Sequence, residues 1–493
     1  MRITNKIMRN NSLYNINQNK ILEDKLSNQM TNQSKITRPS DDPVVAIRAL
    51  RLRTNVTSVT QYYDKNAPDA DSWITVTGDA LDQVGDVLTD LYKQAADASK
   101  KSLKSEDLEI ILTQMEALTK EFYASGNVDY AGRYVFSGYR TDTPITFTAE
   151  DIKEFTQDPN NLKTFEIEES MNFDDFSAIS YTDWSNITDE LQVTNTTMYR
   201  VRLSYNDVNE VNGGDGASYD VTIQQGTGAP TTVTATQYTD AETAYKAVKD
   251  GNCNIAYIPS TGEVVFSESY YQREINEDTK ISVSYSKSNW VEGDINPVHY
   301  FKCTSDGVTY NADSVEQDIF YDVGFNQEIQ VNTQADEVFT HGVRRDMDDF
   351  DISLKQLKDI EAKISDIETK MEGLAEDSTD YQDLKKSLDA ANKAYTYIRE
   401  NIQTKFENQI TKYQKYIDDT NVAITNNGTR GSRLELISDR LRNQKATFKD
   451  LQSSNEDVDV SEVAVQLKSS ELTYEAALMA TSKIMQTNLM QFI

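Results

Sequence analysis

The chain of 493 residues carries 49 Lys and Arg against 80 Asp and Glu, which gives a net charge of −31. This excess of negative charge repels nucleic acids and anionic lipid surfaces, so we expect no nucleic acid and no membrane as a partner. Two cysteines and two histidines are too few for a disulfide framework or a multi-histidine site. The composition therefore predicts no metal ion and no cofactor.

The first 60 residues are chemically distinct, because ten basic and four acidic side chains give them a net charge of +6. They contain no apolar core of a secretory signal, which indicates a cytoplasmic protein or export without a cleaved signal peptide. Ile3, Ile7, Tyr14 and Ile21 form a narrow apolar stripe on a background rich in asparagine. A helix with so narrow a stripe is marginal alone, so we predict that these side chains pack between subunits.

Residues 38–43 (RPSDDP) interrupt the helical pattern. Proline ends one helix and opens the next, and short polar side chains cap the new helix. We predict that this segment is an inter-domain hinge between two helical layers. It comprises Pro39, Ser40, Asp41, Asp42 and Pro43.

Two helices are predicted to follow the hinge region. An apolar stripe from Trp73 to Ala98 defines the first helix, and a second stripe runs from Leu108 to Phe122. Ser105 precedes two acidic residues, a pattern typical of a helix N-terminus with serine as the capping residue.

The middle of the chain changes its hydrophobic period. Residues 219–223, 232–236, 263–266 and 281–285 are β-branched or aromatic runs, and glycine-rich turns separate them. Residues 240–250 have the pattern of one short helix among these strands. We therefore predict a mostly-β domain inserted into a helical framework.

No proline follows Pro297, so the last third of the chain is predicted to consist of long helices. Two heptad patterns, 357–374 and 384–402, indicate helices that pack on each other within the chain. Residues 373–380 (GLAEDSTD) are predicted to form the turn between them. Residues 426–428 (NNG) have the composition of a further break.

The final helix is predicted to span 456–492 and is apolar on more than one side. A helix at a chain end seldom finds that much cover within its own monomer, so we predict that it packs against other subunits. The proposed packing residues are Val460, Leu467, Tyr474, Leu478, Met485 and Phe492.

These patterns predict a mainly α fold with an inserted β domain. Three domains are expected. The first joins 1–40 to 455–493 as a terminal coiled coil, the second joins 41–147 to 341–454 as a helical bundle, and the third is the mostly-β insertion, 148–340.

Catalytic motifs are weak throughout the chain. No HExxH or CxxC motif occurs, and nothing in the surrounding sequence indicates that Cys253 and His299 form a nucleophilic pair. Acidic pairs on the predicted helices are read as solvated faces. We therefore predict no enzymatic activity and no catalytic residues, and keep an enzyme with a site in the β insertion as the less favoured alternative.

Several motifs in the same order resemble the bacterial flagellin superfamily. Residues 37–44 (TRPSDDPV) and 49–53 (ALRLR) resemble its N-terminal region, and 132–138 (GRYVFSG) resembles the end of its N-terminal helices. The C-terminal half is similar at 322–339, 428–435 and 471–493. Within the superfamily, the opening residues are most similar to hook–filament junction proteins. The insertion, about 148–318, resembles nothing that we can name.

The resemblance implies a structural protein of the bacterial flagellum that forms a junction ring between hook and filament. It implies export through the flagellar type III channel, an extracellular location, and terminal helices that pair as a coiled coil on assembly. The implied partners are copies of the same chain, the other hook–filament junction protein, flagellin, and a cytoplasmic export chaperone. Flagellin itself, the filament subunit, is the nearest alternative, and a cytoplasmic coiled-coil tether is a weaker one.

Overall fold

The structure is a computed structural model, and it describes residues 5–100, 104–157, 162–184, 188–211, 213–312 and 316–487. Helices dominate both ends of the chain, and strands dominate its middle. The helices are α1 (Asn5–Asn32), α2 (Pro43–Gln61), α3 (Ala67–Ala98), α4 (Ser105–Ala124), α5 (Ala149–Phe155), α6 (Ala241–Lys249), α7 (Glu268–Glu274), α8 (Ala335–Val338), α9 (Gly342–Met371), α10 (Thr379–Glu456) and α11 (Val460–Thr487).

The strands lie between α4 and α8. They are β1 (Asp129–Tyr130), β2 (Arg133–Tyr134), β3 (Phe165–Asn172), β4 (Ser177–Asp183), β5 (Thr194–Arg202), β6 (Ser218–Gln225), β7 (Thr231–Gln237), β8 (Ile255–Ile258), β9 (Glu263–Phe266), β10 (Thr279–Lys287), β11 (Lys302–Ser305), β12 (Val308–Tyr310), β13 (Phe320–Gly324) and β14 (Gln327–Gln330). The predicted fold class, mainly α with an inserted β domain, is confirmed.

The chain forms two compact units. The terminal unit contains the described parts of 1–70, 321–329 and 432–493, and the central unit contains those of 71–320 and 330–431. The three domain ranges expected from the sequence remain a prediction.

Ten strands of the central unit form one sheet in the order β12-β11-β3-β10-β6-β7-β8-β9-β5-β4. Neighbouring strands are antiparallel except β7 and β8, which are parallel. A parallel pair needs a crossover connection, and α6 provides it. The four strands and the short helix predicted from the sequence are confirmed as β6, β7, β9, β10 and α6.

The other six strands of this sheet, β3, β4, β5, β8, β11 and β12, are absent from the sequence prediction. In β3, buried Phe165, Ile167, Glu169 and Met171 alternate with exposed residues, two of them acidic. Acidic residues are depleted in strands, so this segment carries a weak strand signal although its period is two. The buried carboxylate of Glu169 is stabilised by hydrogen bonds that it accepts from the Ser204 and Tyr285 hydroxyls.

Helices α9 and α10 form the predicted hairpin. The connection between them spans residues 372–378, and Gly373 has a φ of +85°, a conformation that favours glycine. Phe350 of α9 and Phe406 of α10 stack with ring centroids 4.2 Å apart. The heptad residues buried in these two helices are Leu357, Ile360, Ile367, Ala391, Ile398 and Ile402.

The break predicted at residues 426–428 is wrong, since α10 continues through it. Asn427 is buried, and its side-chain amide donates a hydrogen bond of 2.8 Å to the carbonyl of Ile74 in α3. Gly78 of α3 makes room for it, because a Cβ there would lie 3.1 Å from the Asn427 amide nitrogen. Asn427 therefore joins two helices, whereas its sequence context is that of a turn.

Two predicted helix starts also differ from the structure. Ser105 is the first residue of α4 and not its cap, because its hydroxyl donates to the Glu361 carboxylate at 2.5 Å. The last helix starts at Val460 and not at residue 456. Asp459 caps it by accepting hydrogen bonds from the backbone N–H groups of Ser461 and Glu462.

Charged side chains are buried where β5 and β9 meet α9 in the central unit. Arg200 donates to Glu263 at 2.6 Å and also pairs with Asp349. Arg202 donates to Asp349 at 2.7 Å and also pairs with Asp346. Burial opposes ionisation of Asp349, but attraction from the two guanidinium groups outweighs it and lowers the pKa of this carboxyl.

Replacing Asp349 with alanine should destabilise the central unit by about 3 to 5 kcal/mol, because two buried arginines would lose a shared carboxylate. All three tryptophans, at positions 73, 184 and 290, belong to this unit. Urea unfolding followed by tryptophan fluorescence therefore measures the change. Asp351→Ala removes an exposed acid of the same helix and should change the free energy of unfolding by less than about 0.5 kcal/mol. Equal effects of the two variants would contradict the prediction.

Both histidines of the chain belong to the central unit, where His299 is buried and His341 is half-buried. His341 lies against the rings of Tyr205 and Tyr300, and its Nε2 is 3.1 Å from the Tyr205 hydroxyl. Burial lowers the pKa of His341 to about 3. Burial likewise lowers the pKa of His299 to about 4, although a contact with the carbonyl of Pro144 opposes the shift. Both rings are therefore neutral in the folded protein near pH 7.

These depressed pKa values predict acid destabilisation. Below pH 6.5 the histidines of the unfolded chain bind protons, whereas those of the folded protein stay neutral. The free energy of unfolding therefore falls as the pH drops towards 4. Each histidine should contribute a loss of roughly 2 to 3 kcal/mol between pH 7 and pH 4.5. Urea unfolding at the two pH values measures it, and His341→Phe should reduce the difference by about 2 kcal/mol. If the free energy of unfolding of the variant differed between the two pH values as much as that of the wild type, His341 would not contribute to the acid destabilisation.

Candidate assembly surface

The two ends of the chain meet in the terminal unit, where α1 packs along α11. A short antiparallel bridge between Ser34 and Asp457 fixes their register. It is extended by backbone hydrogen bonds from Lys35 N–H to the carbonyl of Glu456, at 2.7 Å, and from Val458 N–H to the carbonyl of Gln33, at 3.2 Å. The two terminal helices thus pack on each other within a single chain.

Glu456, the last residue of α10, is also bound to α2. Its carboxylate is buried and accepts hydrogen bonds from the Arg53 side chain, with Nε 2.9 Å from both oxygens. A bidentate pair of this kind fixes direction as well as distance. It therefore orients α2 against the end of α10, beside the bridge that positions α1.

The predicted hinge residues lie in the turn between α1 and α2. The Asp41 carboxylate accepts hydrogen bonds from the backbone N–H groups of Arg38, at 2.9 Å, and Thr37, at 3.2 Å. The Arg38 N–H is the main cause of the lowered pKa of Asp41. Asp42 caps α2 through the N–H groups of Val44 and Val45. Pro39, Ser40 and Pro43 are exposed, and Pro43 is the first residue of α2. A hinge motion at this turn stays a prediction.

All but one of the described residues of α1 that lose exposure follow a heptad-like spacing of four and three; the exception is Gln29. This inner stripe consists of Ser12, Ile16, Asn19, Glu23 and Leu26. The matching stripe of α11 consists of Val463, Leu467, Ser470, Tyr474 and Ala477. Three of the five α1 positions are polar, so the contact between α1 and α11 buries little of the apolar surface that α1 carries.

The apolar residues predicted on α1 lie mainly outside this contact. Ile7, Tyr14 and Ile21 are 50%, 64% and 56% exposed. They recur every seven residues and therefore lie along one line of the helix. Ile21 is two residues beyond Asn19, which places it about 200° around the helix from the inner stripe. Ile3 lies outside the described residues.

The predicted residues of α11 divide into two groups. Leu467 and Tyr474 are half-buried in the inner stripe, whereas Val460 and Leu478 remain exposed. Met485 belongs to α11, but its side chain lies outside the described residues, as does Phe492 entirely. One helix thus presents apolar side chains both to α1 and to solvent.

The sequence analysis missed a third exposed stripe, on α2. Val44, Ile47 and Leu50 recur every three residues directly after the turn, and each is more than half exposed. Their spacing is typical of one face of a helix. The prediction was limited to a hinge, because the neighbouring proline motif was the more distinctive pattern. Other large apolar side chains exposed on α1 and α11 are Met8, Leu13, Leu22, Met30, Val465, Leu472 and Met479.

We define the assembly surface as these exposed apolar residues of α1, α2 and α11. Scattered apolar side chains are normal on a protein surface, but stripes on three helices of one unit indicate an interaction surface. Burying one such side chain completely is worth roughly 1.5 to 3 kcal/mol. The described residues contain no group of acidic, histidine and cysteine side chains suited to a metal ion. Nor does any described helix have the length and hydropathy needed to cross a membrane.

Residues 3–141 match the model of a protein family described as the bacterial flagellin N-terminal helical region. Flagellar hook-associated protein 3 of Salmonella typhimurium is 26% identical over 143 residues, which are 29% of this chain and 45% of that protein. The protein of the same name from Escherichia coli is 25% identical over 144 residues, with the same two shares. The chain therefore aligns with less than half the length of these relatives.

Solved structures of flagellar proteins also align with the chain. FlgL of Xanthomonas campestris does so with a TM-score of 0.28 and 13% identity, over 81% of this chain and 98% of that chain. The flagellar junction protein FlgL of Legionella pneumophila has a TM-score of 0.30 and 12% identity, over 84% and 100%. We conclude nothing from likenesses at these TM-scores. The N-terminal helices of the chain, residues 3–141, are therefore similar to the N-terminal helical region of bacterial flagellins.

Proposed function

We propose that this protein is a structural subunit of the bacterial flagellum and forms a junction ring between hook and filament. The observation that carries the proposal is the assembly surface, because three helices expose apolar stripes that no described residue of their own unit covers. The family match of residues 3–141 makes other flagellar subunits the natural source of that cover. The shared name of both curated relatives favours the junction over the filament.

In the proposed ring, the exposed residues Ile7, Tyr14 and Ile21, here called the outer stripe of α1, pack on the terminal helices of neighbouring copies. The inner stripe packs α1 on α11 within one chain, and the outer stripe supplies the energy of association between chains. Several side chains of this size per subunit, at roughly 1.5 to 3 kcal/mol each, suffice for a stable contact after the entropy loss of assembly.

The remaining parts of the proposal follow from the same surface. The ring would contact the other hook–filament junction protein on one side and flagellin on the other. Before export, a cytoplasmic chaperone would cover α11, since an exposed apolar helix promotes aggregation. The mature protein would lie outside the cell, exported without a cleaved signal peptide, and it would have a structural and not an enzymatic role. In this arrangement 148–340 forms the outer domain, 41–147 with 341–454 the bundle, and 1–40 with 455–493 the inner coiled coil.

Flagellin remains the second candidate, because the matched family region is named after flagellin and the same stripes suit a filament. Immunogold labelling of isolated flagella, with an antibody against residues 148–318, separates the two. A single narrow band where hook meets filament is expected. Label along the whole filament would make the protein a filament subunit, and its absence from flagella would overturn the proposal.

Aspartate in the assembly surface should block assembly without unfolding the monomer. We expect Ile21→Asp and Leu478→Asp to reduce incorporation into flagella at least tenfold, because each would bury a charge in the interface. Both side chains are exposed in the single chain, so the thermal midpoint of the purified protein should stay within about 1 °C of wild type.

Asn15→Asp is the matched control, since it adds the same charge at an exposed polar position of α1. It should assemble like wild type. Incorporation is measured by quantitative immunoblotting of sheared flagella. Normal incorporation of Ile21→Asp, or a large drop in its thermal midpoint, would show that the outer stripe is not the subunit contact.

A further inference from the structure

The central unit contains a small basic cavity that the proposed function does not use. It lies between strands β4 and β5 and helices α9 and α10, and has a volume of about 100 Å³. A second cavity of about 40 Å³ shares much of its lining, including Arg200, Asp349, Asn401 and Lys405. A space of this size holds several water molecules or one small ion.

Positive charge is in excess around this basic cavity. The four cations Arg200, Arg202, Lys405 and Lys412 are grouped with the three carboxylates Glu263, Asp346 and Asp349. The cluster therefore has a net charge of +1, in a chain whose net charge is −31. The two lysines are only partly buried, with the Lys412 side chain 40% exposed, so the excess positive charge is available to attract an anion into the cavity that they line.

Lys405 is the cation of this cluster that forms no ion pair with a carboxylate among the described residues. Its ammonium nitrogen donates to the Ser353 hydroxyl at 2.7 Å. That hydroxyl in turn donates to the backbone carbonyl of Asp349, which leaves its lone pairs for the lysine. Across the described residues, no carboxylate oxygen lies within 4.0 Å of the Lys405 nitrogen. An ammonium has three donors, so Lys405 keeps donors for a ligand in the cavity that it lines.

Arg200 supplies a second, independent observation. The residue is 95% buried and lines both cavities, and two of its side-chain nitrogens bind Glu263 and Asp349. Its Nε is buried as well, yet no hydrogen-bond acceptor among the described residues reaches it. An orphaned N–H group of this kind disfavours folding by roughly 1 to 3 kcal/mol unless water or an ion satisfies it.

The carboxylates in the lining do not oppose an anion strongly, because they are already neutralised. Asp346 accepts hydrogen bonds from Gln409, at 2.7 Å, and from Lys412, at 3.0 Å, in addition to its pair with Arg202. The mouth of the cavity is open, since Thr404 and Asn408 are exposed and Lys412 is partly so. A solute can therefore enter the cavity without unfolding of the unit.

We propose that the basic cavity binds one small oxyanion, of the phosphate, sulfate or carboxylate type. Lys405 supplies the principal charge, Arg200 and Lys412 add to it, and Asn408 contributes a polar group at the mouth. The bound anion would link β4 and β5 to α9 and α10 and so stabilise the central unit. The proposal is independent of the flagellar role, because it concerns the central unit of a single chain.

The test uses the full-length protein in chloride buffer, with phosphate, sulfate or acetate added at 10 mM and sodium chloride as the control of equal ionic strength. Tryptophan fluorescence follows thermal unfolding of the central unit. We expect a saturable rise in the midpoint of about 2 °C for at least one oxyanion. Response to phosphate and sulfate indicates a tetrahedral ligand, and response to acetate alone indicates a carboxylate. Titration calorimetry with the active anion should give one site per chain.

Lys405→Met keeps the length of the side chain and should abolish both the rise and the calorimetric signal. Lys415→Met removes an exposed lysine of the same helix and should keep both. Asn408→Asp, at the exposed mouth, should weaken anion binding at least fivefold. It provides an independent test should Lys405→Met fail to fold. General salt effects on stability would be the same in all variants. The proposal would be overturned if the oxyanions raised the midpoint no more than chloride does. It would also be overturned if Lys405→Met and Asn408→Asp both responded as strongly as the wild type.

Discussion

The terminal unit depends on one constraint: α1 and α11 cannot bury all of their apolar surface on each other. The α1 side of the contact is more polar than apolar, so the energy gained there is modest, and most large apolar side chains of α1 remain in solvent. A globular domain of this composition would be expected to rearrange until those side chains were covered. The bridge beside Asp457 and the Arg53–Glu456 pair prevent this, because they fix the helices at one end.

The central unit follows a different principle. Its sheet is attached to the helices by charged groups that are almost fully buried, with Arg200 and Arg202 directed at carboxylates of α9. Apolar packing could have filled the same space with comparable stability. Ion pairs with fixed geometry allow one arrangement of the sheet on the helices and disfavour sliding.

Much of this organisation could be predicted from the sequence, because it is encoded in local periodicity. The long helices, the α9–α10 turn and four of the strands follow from spacing alone. Strand β3 was missed because glutamates occupy its exposed face, and the continuity of α10 was missed because Asn427 has the chemistry of a turn residue. Its partner, the carbonyl of Ile74, is 353 residues away in sequence. A contact between residues so far apart in the sequence produces no local sequence pattern from which it could be predicted.

The candidate surface was predicted in part for the same reason. The exposed stripe through Ile7, Tyr14 and Ile21 is periodic and was found, whereas the polar inner stripe could not be. Ser12, Asn19 and Glu23 are typical of a solvent-exposed face, and only the position of α11 makes them the contact. The charge imbalance around Lys405 joins residues of separate strands and helices, so it too requires the fold.

The Arg53–Glu456 pair joins residues 403 positions apart in the sequence. The central unit contains no residue beyond 431, whereas the terminal unit includes 432–493. Until Glu456 has been synthesised, α2 lacks the carboxylate that orients it and α1 lacks the helix on which it packs. The direction of synthesis therefore makes the terminal unit the later of the two to close.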